Sequence, residues 1–242
     1  MKILAFLFTL LVIAAVLAGA CGMQPGGTPQ VGKMQHESRS VDLKDAQSVR
    51  AQLKMGAGEL NLTGGADQLM EGDFSYNVAD WKPEVSYDVG GGEGELVVRQ
   101  GGSKGSNLTS EARNEWDIRL NDELPTHLVV QMGAGESDLD LDSLTLAGLK
   151  LQMGAGKTTV DLTGDYAQGF DARIQGGVGE ATVMLPSEVG VKAIAQGGLG
   201  KIDAEGLEKV GDSYVNEAYG ESDVTLNVDV QGGVGEINLE VV

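Results

Sequence analysis

The chain is poor in the residue types that usually carry catalysis, metal binding or covalent cross-links. Its 242 residues include one cysteine, two histidines and only 5% aromatic residues. The single cysteine excludes an intrachain disulfide, and His36 and His127 lack the nearby thiolate or second imidazole that a zinc site requires. Neither histidine belongs to a visible Ser/His/Asp pattern. Stability must therefore come from packing and strand pairing, and the sequence offers no catalytic residue set and no metal site.

The chain is also short of basic residues. Lys and Arg together number 17 against 36 Asp and Glu, which gives a net charge of −19 at pH 7. Because phosphate recognition needs clustered Lys and Arg, nucleic acid is not expected as a partner. Met153–Thr159 resembles the end of a nucleotide-binding P-loop, but Leu151 stands where that motif requires its first glycine. We therefore expect no nucleotide and no cofactor.

A long apolar run lies at the N-terminus. Lys2 precedes the apolar run Ile3–Leu17, and small residues follow, so residues 1–20 are predicted to be a secretory signal peptide. Leu17–Cys21 resembles a bacterial lipobox, which implies cleavage before Cys21 and acylation of that residue. Two or three acyl chains hold a protein stably on a membrane. The sequence thus predicts an extracytoplasmic protein anchored to the cell membrane or the outer membrane. The alternative is an ordinary secreted protein with an incidental cysteine.

A short segment rich in glycine and proline follows the predicted signal peptide. Residues 21–37 hold Pro25, Pro29 and several glycines, and they show no apolar period. This composition is typical of a flexible tether, which would hold the folded part away from the bilayer. We expect the folded part to begin near residue 38.

Glycine, by contrast, is abundant, and much of the excess lies in one repeated phrase. The chain holds 37 glycines, about twice the usual share of roughly 7%. The phrase is Gly-x-Gly followed by Glu or Lys, and a period near twenty residues indicates stacked, similar coils. Its clear copies contain Gly56 and Gly58, Gly133 and Gly135, Gly154 and Gly156, Gly177 and Gly179, Gly198 and Gly200, and Gly233 and Gly235. Gly92–Glu95 and Ala218–Glu221 read as two further copies.

The residues around each copy alternate between apolar and polar, as in a strand with one buried face. Leu149 and Leu151 precede the copy at Gly154 and Val160 and Leu162 follow it, so the alternation changes phase across the glycines. Such a change needs a bulge or a sharp corner, and glycine supplies the positive φ that a corner demands. The sequence predicts an all-β fold. We expect a right-handed β-solenoid of stacked coils of about 21 residues with glycine corners, preceded by an N-terminal β section.

The charged residue after each copy tests how the coils stack. If the coils stack in sequence order, the strand spacing places these side chains about 4.8 Å apart. They read Glu136, Lys157, Glu180, Lys201 and Glu221. Opposite charges on neighbouring strands stabilise a sheet by a few tenths of a kcal/mol, so we expect this alternating column.

Several segments resemble known families. Those that resemble the toast-rack N-terminal domain are Leu69–Asn77, Trp81–Val85, Leu96–Gln100 and Trp116–Asn121. The stretch Leu128–Val242, with its Gly-Ala-Gly copies, is similar to the C-terminal β-solenoid domain of LiaF-like proteins, which respond to antibiotics that act on the cell wall. The resemblance implies a toast-rack-like domain at 38–126, a solenoid domain at 127–242, an envelope setting and no catalytic residues. LiaF-like proteins carry N-terminal transmembrane helices and restrain a sensor kinase, whereas this chain has a lipobox.

These observations favour a non-catalytic, lipid-anchored envelope protein that acts in binding, adhesion or envelope stress. The expected partner is an envelope protein or a cell-wall glycan, because solenoid surfaces suit extended partners. Two alternatives stay open: a carbohydrate-active β-solenoid enzyme and a LiaF-like regulator of a sensor kinase. Asp138–Asp142 is an acidic stretch for which weak surface calcium binding is a further alternative, although it lacks the glycine and the final glutamate of an EF-hand loop.

Overall fold

The structure is a computed structural model that describes residues 31–102 and 110–242. Its thirteen strands form one mixed sheet, and the described residues contain no α-helix, so the predicted all-β, solenoid-like fold is confirmed. The handedness of the coil stays a prediction. Within the same ranges, no helix is long and apolar enough to cross a membrane. The predicted signal peptide and Cys21 lie outside the described residues.

Thirteen strands and one short 3₁₀ turn, Ala79–Trp81, make up the described chain. The first seven strands are β1 (Val31–Val41), β2 (Ser48–Thr63), β3 (Met70–Val78), β4 (Pro83–Gly90), β5 (Glu93–Gln100), β6 (Asn114–Leu120) and β7 (Thr126–Asp140). The remaining six are β8 (Leu146–Asp161), β9 (Asp171–Leu185), β10 (Gly190–Glu205), β11 (Glu208–Val210), β12 (Ser213–Val215) and β13 (Thr225–Val241). The ordered part begins earlier than expected, because β1 pairs with β3 instead of belonging to a tether.

Six long strands form a parallel stack in the order β2, β7, β8, β9, β13, β10. Each of these strands continues without a break through its Gly-x-Gly segment, which we call the corner. The residues before the corner form the first leg of the strand, and the residues after it form the second leg. In β8, Leu149 and Leu151 are buried on the first leg, and Thr158 and Val160 are buried on the second. The inward-facing phase therefore changes at the corner. Both legs contribute to a single apolar core enclosed by the bent strands.

The coils do not stack in sequence order, and the expected charge column is wrong. β13 lies between β9 and β10. The column actually reads Glu59, Glu136, Lys157, Glu180, Glu236 and Lys201. Glu221 lies instead in a turn before β13. Glu180 thus stands beside Glu236, a like-charge pair whose cost of a few tenths of a kcal/mol is small against the apolar burial that decides the strand order.

A coil split into two strands closes the N-terminal side of the stack. β5 pairs in parallel with the first leg of β2, and β6 pairs with its second leg. β4 continues the first-leg side, and β3 and then β1 continue the second-leg side, all antiparallel. The rings of Phe74 and Trp116 pack edge to face there, with their centroids 5.4 Å apart. The sheet continues through the β2–β7 pair across the predicted domain boundary at 126/127, and that boundary stays a prediction.

Gly92–Glu95 is not a corner, although the repeat includes it. Gly91 and Gly92 have φ values of 62° and 86° and form the two-residue turn between β4 and β5. Two successive positive φ values match the twist of a tight hairpin, and glycine adopts them without strain. The same glycine-rich phrase therefore serves a turn here and a corner elsewhere.

Candidate binding surface

The second glycine of each corner adopts a backbone conformation that other residues rarely reach. The φ values of these glycines are 141° for Gly58, 128° for Gly135, 134° for Gly156, 139° for Gly179, 145° for Gly200 and 135° for Gly235. A Cβ on Gly156 would also overlap the carbonyl oxygen of Gly135 in the neighbouring coil. Each corner glycine is thus held by both backbone torsion and contact with the next strand.

The first glycine of each corner is constrained by contact alone. Gly133, Gly154, Gly177, Gly198 and Gly233 have no positive φ, but a Cβ on any of them would overlap the glycine carbonyl of the adjacent coil. Gly56 differs, because a Cβ there would meet only the Gln100 side chain, at 3.4 Å. The glycines of the corners expose backbone along the outside of the stack, and we call this the glycine strip.

A column of glutamines borders this strip on the first leg. Gln131, Gln152, Gln175, Gln231 and Gln196 occupy neighbouring register positions, and we call them the glutamine ladder. Their amides bond in one direction: Nε2 of Gln131 donates to Gln152 Oε1 at 3.0 Å, and Nε2 of Gln152 donates to Gln175 Oε1 at 3.1 Å. Nε2 of Gln175 donates to Gln231 Oε1 at 3.4 Å. The chain of amide bonds ends at Gln231, whose Nε2 donates to the Asp229 carboxylate. Each of Gln131, Gln152 and Gln175 keeps one amide N–H for another partner.

In the split coil that β5 and β6 form together, the side chains of Gln100 and Asn114 take the place of a glycine corner. Gln100 Oε1 accepts hydrogen bonds from the backbone N–H of Gly56 at 2.8 Å and of Ala57 at 3.2 Å. Asn114 Nδ2 donates to Ala57 O at 3.0 Å and to Gln100 Oε1 at 3.0 Å. Trp116 Nε1 fixes Asn114 by donating to its Oδ1 at 3.0 Å. Side-chain amides therefore satisfy the backbone groups that a further glycine corner would have paired.

The ladder, the glycine strip and the split coil enclose a long open depression, which we call the outer groove. It has a volume of about 900 Å³. Every described residue that lines it is Gly, Gln, Met, Lys or Arg. Lys54 and Arg99 continue the glutamine column at its N-terminal end, so the groove is cationic at one end. Its lining combines glutamine amides with the apolar side chains of Met55, Met132 and Met153. Its chemistry suits hydrogen bonding, and its described lining supplies no carboxylate or imidazole for acid–base catalysis.

The middle residue of each corner forms an exposed apolar ridge beside the groove. Ala57, Ala134 and Ala155 occupy this position in the first coils, and larger residues replace them toward the other end. Val178 is 57% exposed, Val234 47% and Leu199 72%. Contiguous exposed apolar side chains are uncommon on monomeric proteins and mark interaction surfaces.

The acidic residues lie mainly away from the groove. Asp140 and Asp161 are register neighbours on the outer face of the second leg, and Asp161 Oδ1 accepts hydrogen bonds from the Thr163 backbone and hydroxyl. Partial burial raises the pKa of Asp140, and the nearby Asp142 carboxylate raises it further. Burial also raises the pKa of Tyr166, whose hydroxyl donates to the Leu141 carbonyl at 3.3 Å. No group of three or more His, Cys, Asp or Glu side chains among the described residues has a metal-binding arrangement.

The two histidines lie apart. His36 Nδ1 is 2.8 Å from Ser75 Oγ across the β1–β3 pair, and His127 lies at the start of β7. The structure does not bring them together with each other or with the groove. Of the corner glycines predicted from the sequence, Gly56, Gly133, Gly154 and Gly177 line the groove, and the other eight do not.

The glutamine ladder was not predicted from the sequence, although the signal is present. Gln131, Gln152, Gln175, Gln196 and Gln231 each stand four residues before the second glycine of a corner. An outward-facing residue of one type at a fixed offset in five coils predicts a stacked column, because equivalent residues of parallel coils are register neighbours.

Comparisons with known proteins place this architecture in a family. The family model for the N-terminal domain of toast_rack matches residues 30–184 and so extends beyond the predicted boundary at residue 126. A crystal structure of a candidate cell adhesion protein from Clostridium sporogenes is 39% identical, with a TM-score of 0.85 over 87% of this chain and 100% of that one.

More distant structures and the curated proteins add little. A candidate adhesin from Parabacteroides merdae is 12% identical over 87% of this chain and 97% of its own, with a TM-score of 0.30. A candidate lipid-binding protein from Parabacteroides distasonis is 11% identical over the same shares, 87% and 97%, with a TM-score of 0.33. Scores this low carry no argument, and none of the curated proteins matches the chain. The family model and the 39% identical structure together show that the chain belongs to the toast-rack family.

Proposed function

We propose that the protein is a non-catalytic, lipid-anchored module on the extracytoplasmic side of a bacterial envelope, and that it acts in binding or adhesion. The observation that carries the proposal is the outer groove. It is long and open, its described lining combines hydrogen-bonding glutamines with methionine side chains, and that lining includes no carboxylate or imidazole. The related structure of a candidate cell adhesion protein supports the same role. The predicted lipobox at Cys21 supplies the anchor.

The groove fits an extended, mostly uncharged partner. The glutamine side chains repeat at the strand spacing of about 4.8 Å, and the glycine strip lets a ligand approach the backbone closely. A cell-wall glycan or an extended segment of an envelope protein has the required hydroxyl or amide groups. An acidic substituent of that partner would face Lys54, which makes no ion pair with any described residue.

A carbohydrate-active enzyme is less well supported by this geometry. A glycosidase of the usual kind needs two carboxyl groups on either side of the scissile bond. The described residues that line the groove include none. Asp140 and Asp161 lie instead on the outer face of the second leg, where Asp161 is bonded to its own turn.

The proposal is tested by filling the groove from its wall. Gln152→Trp combined with Gln175→Trp places two large side chains in the groove without touching the core. We expect this variant to lose at least tenfold of its binding to cell envelopes isolated from the bacterium that encodes the protein, measured by co-sedimentation. The matched control is Thr159→Trp combined with Thr182→Trp, which alters the same two strands on the second leg.

The control variant should bind within about twofold of the parent chain, because it leaves the groove unchanged. It should also remain folded, because each ordinary surface substitution changes stability by about 0.5 kcal/mol or less. Circular dichroism and thermal unfolding verify that both variants remain folded. Equal binding by the groove variant and the parent would remove the groove from the proposed function. Release of sugars from the envelopes by the parent chain would overturn its non-catalytic form.

A further inference from the structure

One end of the stack is left open. β12 pairs with the first leg of the last coil, β10, through Lys192 and Ala193. The second leg of β10, residues 197–205, pairs only with β13 and has no partner on its other side among the described residues. We call residues 197–205 the free edge. An exposed strand edge presents unpaired backbone N–H and C=O groups, which readily pair with another strand.

The free edge also leaves the end of the core uncovered. Ile202 and Ala204 pack against the core but are only partly buried, whereas the equivalent residues of β13, Ile237 and Leu239, are 3% and 0% exposed. Leu199, which is 72% exposed, also lies on the free edge. Solenoids normally cover their terminal coil with a polar cap, so an uncovered terminal coil indicates a missing partner.

We propose that the missing partner is a second copy of this chain, joined to the first edge to edge in antiparallel orientation through residues 197–205. The charge pattern selects one register. With Ile202 opposite Ile202 of the other copy, Lys201 faces Asp203 in both directions. A shift of two residues either way places Asp203 opposite Asp203 or Lys201 opposite Lys201. Lys201 pairs with Asp203 of its own chain. Only the register centred on Ile202 brings this pair opposite its counterpart with two further opposite-charge contacts and no opposed like charges.

This register also closes the core. Directly opposed residues of an antiparallel pair point to the same face of the sheet. Ile202 therefore meets its counterpart on the core side, and Ala204 meets Gly200, so the two cores become continuous. The twofold arrangement is closed, which limits the assembly to a dimer.

The chain's own N-terminal segment cannot cover the free edge. β1, where that segment joins, lies at the opposite end of the stack, eight strand steps from β10. At about 4.8 Å a step this is roughly 38 Å. Cleavage at the predicted site before Cys21 would leave residues 21–30, which span at most about 36 Å when fully extended. Two chains of net charge −19 repel each other at long range, which opposes association. At physiological ionic strength, charges more than about 8 Å apart are screened, so we expect the dimer to form under that condition.

The test is sedimentation velocity of the chain from residue 21 with Cys21→Ser, at physiological salt. We expect a discrete species of twice the monomer mass. Lys201→Asp should weaken dimerisation at least tenfold, because the new carboxylate then faces that of Asp203 in the other copy. The double variant Lys201→Asp/Asp203→Lys restores opposite charges and should restore the dimer. Lys157→Asp makes the same charge change in the middle of the stack and should leave the dimer unchanged.

A monomer at all concentrations would overturn the proposal, and so would open-ended polymers, which indicate head-to-tail contact. A dimer whose strength is unchanged by both Lys201→Asp and the double variant would overturn the proposed register, and with it the free edge as the interface. Far-ultraviolet circular dichroism of each variant separates loss of association from loss of fold. The measurement involves neither the outer groove nor the anchor, so its failure is distinguishable from failure of the proposed function.

Discussion

At the scale of single residues, glycine serves three distinct purposes in this chain. Gly156 supplies a positive φ at a corner, Gly154 allows close contact between coils, and Gly91 forms a hairpin turn. Gly176 serves none of these. It faces inward at the position that Met153 fills in the preceding coil, beside a small cavity of about 30 Å³. The same residue type therefore carries very different energetic weight at neighbouring positions.

This difference predicts opposite effects for two adjacent substitutions. Gly176→Ala should stabilise the protein by about 0.4–1 kcal/mol, because the new Cβ meets only Gln231 O at 3.9 Å and the unfolded chain loses entropy. Gly177→Ala should destabilise it by roughly 2 kcal/mol or more, because its Cβ would overlap the Gly154 carbonyl oxygen. Urea unfolding of both variants checks the signs. Equal free energies of unfolding for the two variants would contradict the close-contact account of the corners.

At the scale of strands, apolar content decides which coil lies inside the stack. β13 has Val230 and Leu239 where β10 has Ala195 and Ala204, so β13 buries more apolar surface when it has neighbours on both sides. The charged outer positions of β10, including Lys201, suit an edge. Burial of larger side chains at roughly 25 cal/mol per Å² outweighs the like-charge contact between Glu180 and Glu236.

The strand order is tested by engineered cysteine pairs in the Cys21→Ser background. Thr182 of β9 and Asn238 of β13 are register neighbours on the outer face, about 4.8 Å apart, which lies within the range for a disulfide. Thr182→Cys/Asn238→Cys should therefore form an intramolecular disulfide under mild oxidation, seen as loss of free thiols in the monomer band. Thr182→Cys/Asp203→Cys should not, since those positions are two strands apart. A disulfide between residues 182 and 203, with none between residues 182 and 238, would instead indicate that the coils stack in sequence order.

At the scale of the whole molecule, the anchor and the stack define two ends. The predicted acylation site at Cys21 precedes β1, and the free edge of β10 lies at the far end of the sheet. An anchored chain would therefore be held by one end of the stack and would present the other end, with its apolar side chains, away from β1. The groove runs along the stack between the two ends.

The anchor is tested by fractionation. Cys21→Ser removes the acylated residue, so the protein should move from the membrane fraction to the soluble extracytoplasmic fraction. Globomycin, which blocks the lipoprotein signal peptidase, should leave the parent chain as an uncleaved precursor. Unchanged fractionation together with normal processing would favour the ordinary secreted protein and remove the anchor from the proposed function.

Much of the architecture was predictable from sequence because it depends on local pattern. Alternation around Leu149 and Val160 identified strands with one buried face, and the change of phase identified a bend at Gly154 and Gly156. The outer groove was harder to predict from the sequence, because its glutamines indicate a surface only when they are recognised as one column across several coils. The sequence predicted Cys21 and the corner glycines but not the glutamines of the groove, since an outward-facing glutamine forms a binding surface only when neighbouring coils align it with others.

The sequence by itself determined the period, the strands, the corners and the family of this protein, since glycine torsion and apolar alternation act within one coil. Only the tertiary structure decided that β13 inserts before β10, that Gln100 and Asn114 replace a corner, and that residues 197–205 remain an open edge. These features arise from competition between coils for buried positions. Its outcome depends on the apolar area that each strand buries against strands distant in sequence. A local sequence pattern contains no information about that area.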